Sequence, residues 1–356
     1  MLLVIVGAGA SYDSVPPAVG AAPWDWASVD WMPPLTKDLF TDKAVFRDIL
    51  KLLPGAAPAI DRVLSGLEGE GSSVEQELQK LVDEATAGDP HLPRQLLEVR
   101  YYLQAVLWNC SADWSTRRGG MTNYVTLVGA LERWRHRHGT KIAYVTFNYD
   151  TLLEAALTRV TGETLAGQAA YEKTPDYARP DWAVFKVHGS IDWARTIRAP
   201  TAEAHGATHP WELSPYAGTM EVTDDFVVLR AVWQMGVDQR LVVPAIAIPA
   251  AGKSGFVMPA THQELLRSSL GETTHILDIG WRGVDDDFRD CIRANLASVN
   301  PNVPVDVVVS SPSGTGEVEM NLRAAGLSGV ISGRPVGFTG FVRGPYLDEF
   351  ISTLSS

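Results

Sequence analysis

The first strand of this chain has no polar side chain on either face. Leu2-Leu-Val-Ile-Val6 runs directly into Gly7-Ala-Gly9-Ala-Ser11. A strand with one wet face alternates apolar and polar residues. One without alternation is covered on both faces, as in a parallel sheet flanked by helices. Similar runs recur at Ile142–Phe147, Trp182–Val187, Phe226–Leu229, Leu241–Ile248, His275–Ile279 and Val305–Ser310. Helical patterns lie between them. Asp150–Arg159 opens on a capping residue and puts Leu152, Leu153, Ala156 and Leu157 on one stripe. Val284–Leu296 repeats the pattern, with Asp285, Asp286 and Asp287 in the first turn, where the helix dipole favours negative charge. Strands alternating with helices predict an α/β fold, a Rossmann-like, doubly wound and mostly parallel sheet.

Between the first strand and Ile142 the strand signal pauses. Leu35–Leu53, Ala59–Leu67, Val74–Ala87 and Leu92–Trp108 carry apolar residues at helical spacing, continued by Met121–His138. They predict a helical insertion at about 35–138, at the carboxyl edge of the sheet beside the crevice where α/β ligands bind. Thr196–Pro210, rich in Ala, Thr, His and Pro, reads as a loop. The sheet domain spans 1–310, and 311–356 is a C-terminal extension that completes or flanks it. Within the extension, Gly337-Phe-Thr-Gly-Phe-Val342 reads either as a late aromatic strand or as an assembly surface.

Composition removes several classes of function. The chain has 356 residues, 46% of them hydrophobic and 20% charged, enough to bury a large core. Its net charge of −12 argues against broad nucleic-acid binding, which needs a cationic surface. The basic stretch Arg133-Trp-Arg-His-Arg-His138 reads as a solvated helix end. Two cysteines, Cys110 and Cys291, cannot form a four-cysteine zinc site or a disulfide framework, and they read as small core residues. No signal peptide and no transmembrane run is present, which predicts a cytoplasmic protein with no membrane partner.

Three strand ends carry the chemistry. The glycine turn lets the backbone approach a ligand, and the helix after it offers free N–H groups to a phosphate. It is not a full dinucleotide fingerprint, because Tyr12 stands where the third glycine belongs. Asp25 and Asp30 lie in a Trp/Pro-rich loop, not at the end of a second strand, which disfavours a hydride-transferring dehydrogenase. Gly252-Lys253-Ser254 is not a phosphate loop, since Ala247 replaces the required glycine. Phe147-Asn-Tyr-Asp150 ends a buried strand and opens a helix. Asn148 therefore lies in the crevice with an amide that needs partners, while Asp150 reads equally as a helix cap. Lys186-Val-His188-Gly189 ends the next strand.

Gly-Ala-Gly-Ala-Ser11, Thr146-Phe-Asn148-Tyr-Asp150, Val187-His188-Gly189-Ser190 and Gly280-Trp-Arg-Gly-Val-Asp285-Asp-Asp-Phe288 together resemble the sirtuin superfamily. The set is most similar to bacterial sirtuin-like NAD+ hydrolases of antiphage defence. Pro34-Leu-Thr36 with Asp38-Leu-Phe40, and Ile248-Pro249 with Lys253, agree in order. The resemblance covers about residues 1–310. It implies that Gly7, Ala8, Gly9 and Ser11 hold the pyrophosphate and adjoining ribose of NAD+. By the same resemblance Asn148 positions the nicotinamide ribose and the attacking water, and Asp150 contacts the carboxamide. His188, followed by Gly189, is the general base or ribose-hydroxyl partner. Gly280, Trp281 and the residues to Asp285 line the adenosine side.

The departures shift the implied reaction. Deacylases of the superfamily carry a zinc module that two cysteines cannot supply, and a Phe-Arg pair that Asp13-Ser-Val-Pro-Pro17 lacks. The expectation is an NAD+ glycohydrolase that uses NAD+ as substrate and no metal, with Asn148 and His188 as its catalytic pair. It releases nicotinamide and ADP-ribose, linear or cyclic. Such an NAD-depleting effector of abortive infection needs a silent state. The resemblance implies release by homo-oligomerisation or by a partner such as an ATPase or an Argonaute-like sensor. The rival readings are a non-catalytic sensor of NAD+ or ADP-ribose and, less favoured, a protein deacylase.

Overall fold

The computed structural model describes residues 1–15, 32–68, 72–117, 119–163, 165, 178–198, 201–250 and 255–354. Asp25, Asp30 and Lys253, weighed above, lie outside them. The strands are β1 (Leu2–Val6), β2 (Ile142–Thr146), β3 (Trp182–Lys186), β4 (Gly189–Arg198), β5 (Glu221–Val228), β6 (Gly236–Val237), β7 (Arg240–Ile246), β8 (His275–Ile279), β9 (Val305–Val308) and β10 (Ile331–Arg334). The helices are α1 (Ala8–Tyr12), α2 (Ala44–Lys51), α3 (Ala57–Gly66), α4 (Val74–Thr86), α5 (Leu92–Thr116), α6 (Asn123–His138), α7 (Leu152–Thr161), α8 (Ala202–His205), α9 (Pro210–Leu213), α10 (Ala260–Gly271), α11 (Asp286–Ile292), α12 (Pro312–Ala324), α13 (Gly337–Arg343) and α14 (Tyr346–Thr353).

Six strands pair in parallel in the order β10-β9-β8-β1-β2-β3. Counted within this sheet alone, the order is 6-5-4-1-2-3, that of doubly wound dinucleotide-binding folds. All five residues of β1 are buried, as a strand without alternation requires. The order reverses between β1 and β8. There neighbouring crossovers leave on opposite faces, and a crevice opens at the carboxyl ends of the strands.

Two of the expected strand regions lie elsewhere. Phe226–Leu229 and Leu241–Ile248 supply β5 and β7 of a second, antiparallel sheet of order β5-β4-β7-β6. Asp238 and Gln239 join β6 to β7 with φ of 49° and 63°. A two-residue turn with both φ positive makes a hairpin, so the pairing is antiparallel. Thr196–Pro210 is not simply a loop, since β4 continues to Arg198 and α8 follows. Gly337–Val342 is neither a strand nor an exposed aromatic surface. It falls in α13, with Phe338 and Phe341 buried.

The helices between β1 and β2 divide between two cores. α2 to α5 pack with β4 and β7 side chains, around Phe46, Ile60, Leu78, Leu103, Ile191 and Val243. α5 is the spine of this core; its Gln104 Nε2 donates to the Ile191 carbonyl at 2.9 Å. α6 instead covers the parallel sheet, with Tyr124, Leu127, Leu131 and Trp134 in that sheet's core. Cys110 and Cys291 are both buried and are not joined in a disulfide. Among the described residues, no helix is long and apolar enough to cross a membrane.

Candidate active site

A cavity of about 540 Å³ opens at the reversal point, a size that suits a small-molecule ligand. Four strand ends line it: Gly7, Ala8 and Ser11 after β1, Phe147 to Asp150 after β2, His188 after β3, and Gly280 to Arg282 after β8. The α2–α5 region adds Ser73, Glu75 and Gln76 at the start of α4 and Leu107 on α5. Ser73 and Gln76 form a capping box, which holds the first turn of α4 against the cavity.

Of the eleven site residues expected from the sequence, Gly9 and Gly189 do not line the cavity; the rest do. Both glycines serve backbone approach. Gly9 abuts Gly280, to whose carbonyl its N–H donates at 3.4 Å. Gly189 has φ of +82°, and a β-carbon there would run into the Ala245 carbonyl where β4 joins β7. Gly7 also differs from expectation. Its φ of −110° needs no glycine, and its N–H is spent on the Ile279 carbonyl at 3.0 Å. Its small size is required because a β-carbon would strike the Gly280 carbonyl. The glycine turn is thus packed against the end of β8 as much as opened to a ligand.

Gly280 closes this contact at φ +69°, and an added β-carbon would lie 2.6 Å from Ala10 N. Gly280→Ala is expected to cost about 1–3 kcal/mol in backbone strain alone, read as a lower unfolding temperature, and to spread the loop that carries Ser11.

Asn148 sits at the centre. Its Nδ2 donates to the Gly7 carbonyl at 2.9 Å and to Ser11 Oγ at 2.8 Å, with Tyr124 Oη at 3.3 Å. A carbonyl can only accept, so the amide nitrogen must face Gly7 and Oδ1 is the atom left for the cavity. Asp150 is not the N-cap of α7, which is Thr151, but its Oδ1 accepts the Leu152 N–H at 3.1 Å just before that helix, and the residue lines the cavity.

His188 Nε2 lies 2.8 Å from Asp285 Oδ2, and Asp285 Oδ1 caps α11 by accepting the Phe288 N–H at 2.9 Å. The cap orients the carboxylate, and the carboxylate orients the imidazole. Asp285, expected only as an adenosine-side lining residue, is therefore the partner of His188. Trp281 stacks on Phe147 at 4.9 Å, and His188 meets the same Phe147 ring edge-on at 5.2 Å.

Behind the cavity, Lys186 is fully buried and donates to the Asp150 carbonyl. It pairs with Glu154 at 2.7 Å. Burial pushes the Glu154 carboxyl up to about 7, against the pull of Lys186. Burial also raises Asp192, which accepts from Ser190 Oγ. Sequence reasoning singled out neither this ion pair nor Tyr124. Lys186 reads as one more polar residue near a strand end, and Tyr124 comes from a helix far away in sequence.

The carboxylates around the cavity are Glu75, Asp150, Asp285, Asp286 and Asp287; its described basic residues are Arg282 and His188. The wall is suited to a ligand that bears or develops positive charge. Among the described residues, no cluster of three or more His, Cys, Asp or Glu is placed to hold a metal ion.

Sheet order and crevice together define an α/β protein of the doubly wound class. The SIR2-like domain family matches residues 142–327, more than half of the chain. The protein belongs to that family. Among solved structures, a Sir2 homologue–NAD complex aligns with a TM-score of 0.41 at 12% identity, covering 100% of this chain and 90% of that one. A mutant Sir2 homologue–ADP-ribose complex aligns with a TM-score of 0.41 at 12% identity, covering 99% and 93%. No curated protein matches the chain.

Proposed function

We propose that the protein is an NAD+ glycohydrolase. The observation that carries this reading is the meeting of Asn148, the His188–Asp285 pair and Ser11 on one cavity at the reversal point of the sheet. In this reading the pyrophosphate lies by the α1 turn and Arg282, and the nicotinamide ribose lies beside Asn148. The bond from ribose C1′ to the nicotinamide nitrogen breaks, and its electron pair leaves with the ring as neutral nicotinamide. The acidic wall stabilises the positive charge that develops on the ribose. Water held by Asn148 Oδ1 adds to C1′. With Nε2–H donated to Asp285, Nδ1 of His188 takes the proton of the water. The products are nicotinamide, ADP-ribose and a proton; capture by a hydroxyl of the ligand in place of water gives a cyclic product.

The setting that fits is NAD+ depletion in antiphage defence. It is supported by the motif order and by the two cysteines, too few for the zinc module of a deacylase. The silent state is released by assembly of copies or by a partner such as an ATPase or an Argonaute-like sensor.

The test is to incubate the full chain with NAD+ and follow nicotinamide and ADP-ribose by chromatography, alongside calorimetric binding of ADP-ribose. Turnover supports the reading. Tight binding of NAD+ that stays intact, with every trigger supplied, moves the protein to a nucleotide sensor. Asp285→Asn keeps the cap acceptor of α11 but removes the charge facing His188, and is expected to lower kcat about tenfold. An unchanged rate removes Asp285 from the mechanism.

A further inference from the structure

Tyr124 is 1% exposed and belongs to α6, which covers the parallel sheet. Its hydroxyl lies 3.1 Å from Ser11 Oγ and 3.3 Å from Asn148 Nδ2. Burial, and then the Asp150 charge, holds the phenol well above its ordinary pKa, so it keeps its proton. The Asn148 amide nitrogen has two hydrogens, which the Gly7 carbonyl at 2.9 Å and Ser11 Oγ at 2.8 Å take. Tyr124 Oη therefore shares one of them from 3.3 Å and makes its closer hydrogen bond with Ser11 Oγ, in which either hydroxyl can donate. Ser11, which lines the cavity, is thus held between the amide and the phenol. The phenol thereby touches two polar side chains at this end of the cavity, the Asn148 amide, whose direction the Gly7 carbonyl sets, and the Ser11 hydroxyl.

The ring of Tyr124 is seated by the C-terminal segment. Phe338 of α13 meets it edge-on at 5.2 Å. Thr339, the next residue, donates its N–H to Asp13 Oδ2 at 2.7 Å and its hydroxyl to Asp13 Oδ1 at 2.6 Å. Asn123, the neighbour of Tyr124, donates from Nδ2 to the Asp13 carbonyl at 2.6 Å and to Thr339 Oγ1 at 2.8 Å. Its backbone N–H reaches the Ser14 carbonyl at 2.6 Å. The exit of the glycine turn, the first turn of α6 and the first turn of α13 are thus tied together within three residues of Ser11 and Tyr124.

We propose that Tyr124 is a positioning residue for Asn148 and Ser11, and that α13, through Phe338 and Thr339, holds Tyr124 in place. The proposal rests on the glycohydrolase reading for its activity arm only. Tyr124→Phe removes the hydroxyl and keeps the ring against Phe338. Its kcat for nicotinamide release is expected to fall about 10- to 100-fold with KM within about threefold. Thr339→Val is expected to lower kcat in the same direction, and Thr339→Ser to restore it.

A second arm needs no turnover: the side-chain NH₂ of Asn148 in ¹⁵N spectra of the full chain, assigned through Asn148→Asp. It is protected from solvent exchange in the native protein and loses protection in Tyr124→Phe and Thr339→Val. A purely structural role for Tyr124 lowers the unfolding temperature but leaves this protection and kcat in place, and that outcome overturns the inference. If the native chain leaves NAD+ intact, the function reading fails and the exchange arm alone decides.

Discussion

Asn148→Ala is expected to leave a folded protein that releases nicotinamide about 10²–10³-fold more slowly than the native chain. The loss has two parts. The alanine removes the Oδ1 acceptor from the cavity, and it leaves the Gly7 carbonyl, Ser11 Oγ and Tyr124 Oη without their shared donor. The second part costs stability, about 1–3 kcal/mol for buried groups left unpaired. It would be read as a lower unfolding temperature with a circular-dichroism spectrum unchanged at low temperature. Asn148→Asp separates the two parts. It keeps an oxygen for the cavity but turns a carboxylate oxygen toward the Gly7 carbonyl, where only a donor is tolerated. Its expected defect is therefore in loop stability first and rate second. Full activity in Asn148→Ala, measured beside a native control that turns over, would end the assignment of this residue.

Lys186→Met is expected to be the most destabilising single change near the site, by about 3–5 kcal/mol, because it strands Glu154 in the interior without its counter-charge. It also removes the donor to the Asp150 carbonyl, so the segment from Asn148 to Asp150 loosens and activity falls with stability. The defect is pH-dependent, and its sign follows from Glu154. An ordinary glutamate loses its proton near 4.5, whereas folded Glu154 holds it to about 7. Between these values the folded chain binds the extra proton. This contribution is fully present below pH 4.5 and is lost as pH rises to about 7. Without Lys186 the folded carboxyl is raised further, so the deficit of Lys186→Met grows from pH 5 to pH 8. Unfolding temperatures at the two pH values test this; a deficit that shrinks with pH would show that Glu154 is not the stranded group. Lys186→Met with Glu154→Gln is expected to recover part of the loss, since neither buried charge remains.

Much of the parallel sheet was legible because each of its first strands announces itself locally. Leu2–Val6 and Ile142–Thr146 are buried on both faces, and each is followed by the residues that form the crevice. β10 was not, since Ile331-Ser-Gly-Arg334 at the sheet edge is partly exposed and carries no apolar run. The second sheet was misplaced for a related reason. β5 and β7 contain apolar runs like those of the main sheet, and only the Asp238-Gln239 turn and the partner β4 decide that they pair antiparallel.

At the site the same division holds. The residue types at the ends of β1, β2, β3 and β8, and their order, are properties of the sequence, because a strand end and the turn after it are fixed by neighbouring residues. Which atoms meet is not. That Asp285 grips His188 from 97 positions away, that Tyr124 closes on Ser11 and Asn148, and that Gly7, Gly9 and Gly280 fit into one another are long-range outcomes. They exist only after crossovers on both faces of the sheet have brought these segments together. The sequence by itself determined an apolar parallel sheet opening on polar strand ends. The tertiary structure alone decided their pairing, because hydrogen bonds between distant segments depend on sheet order and helix packing that no local pattern encodes.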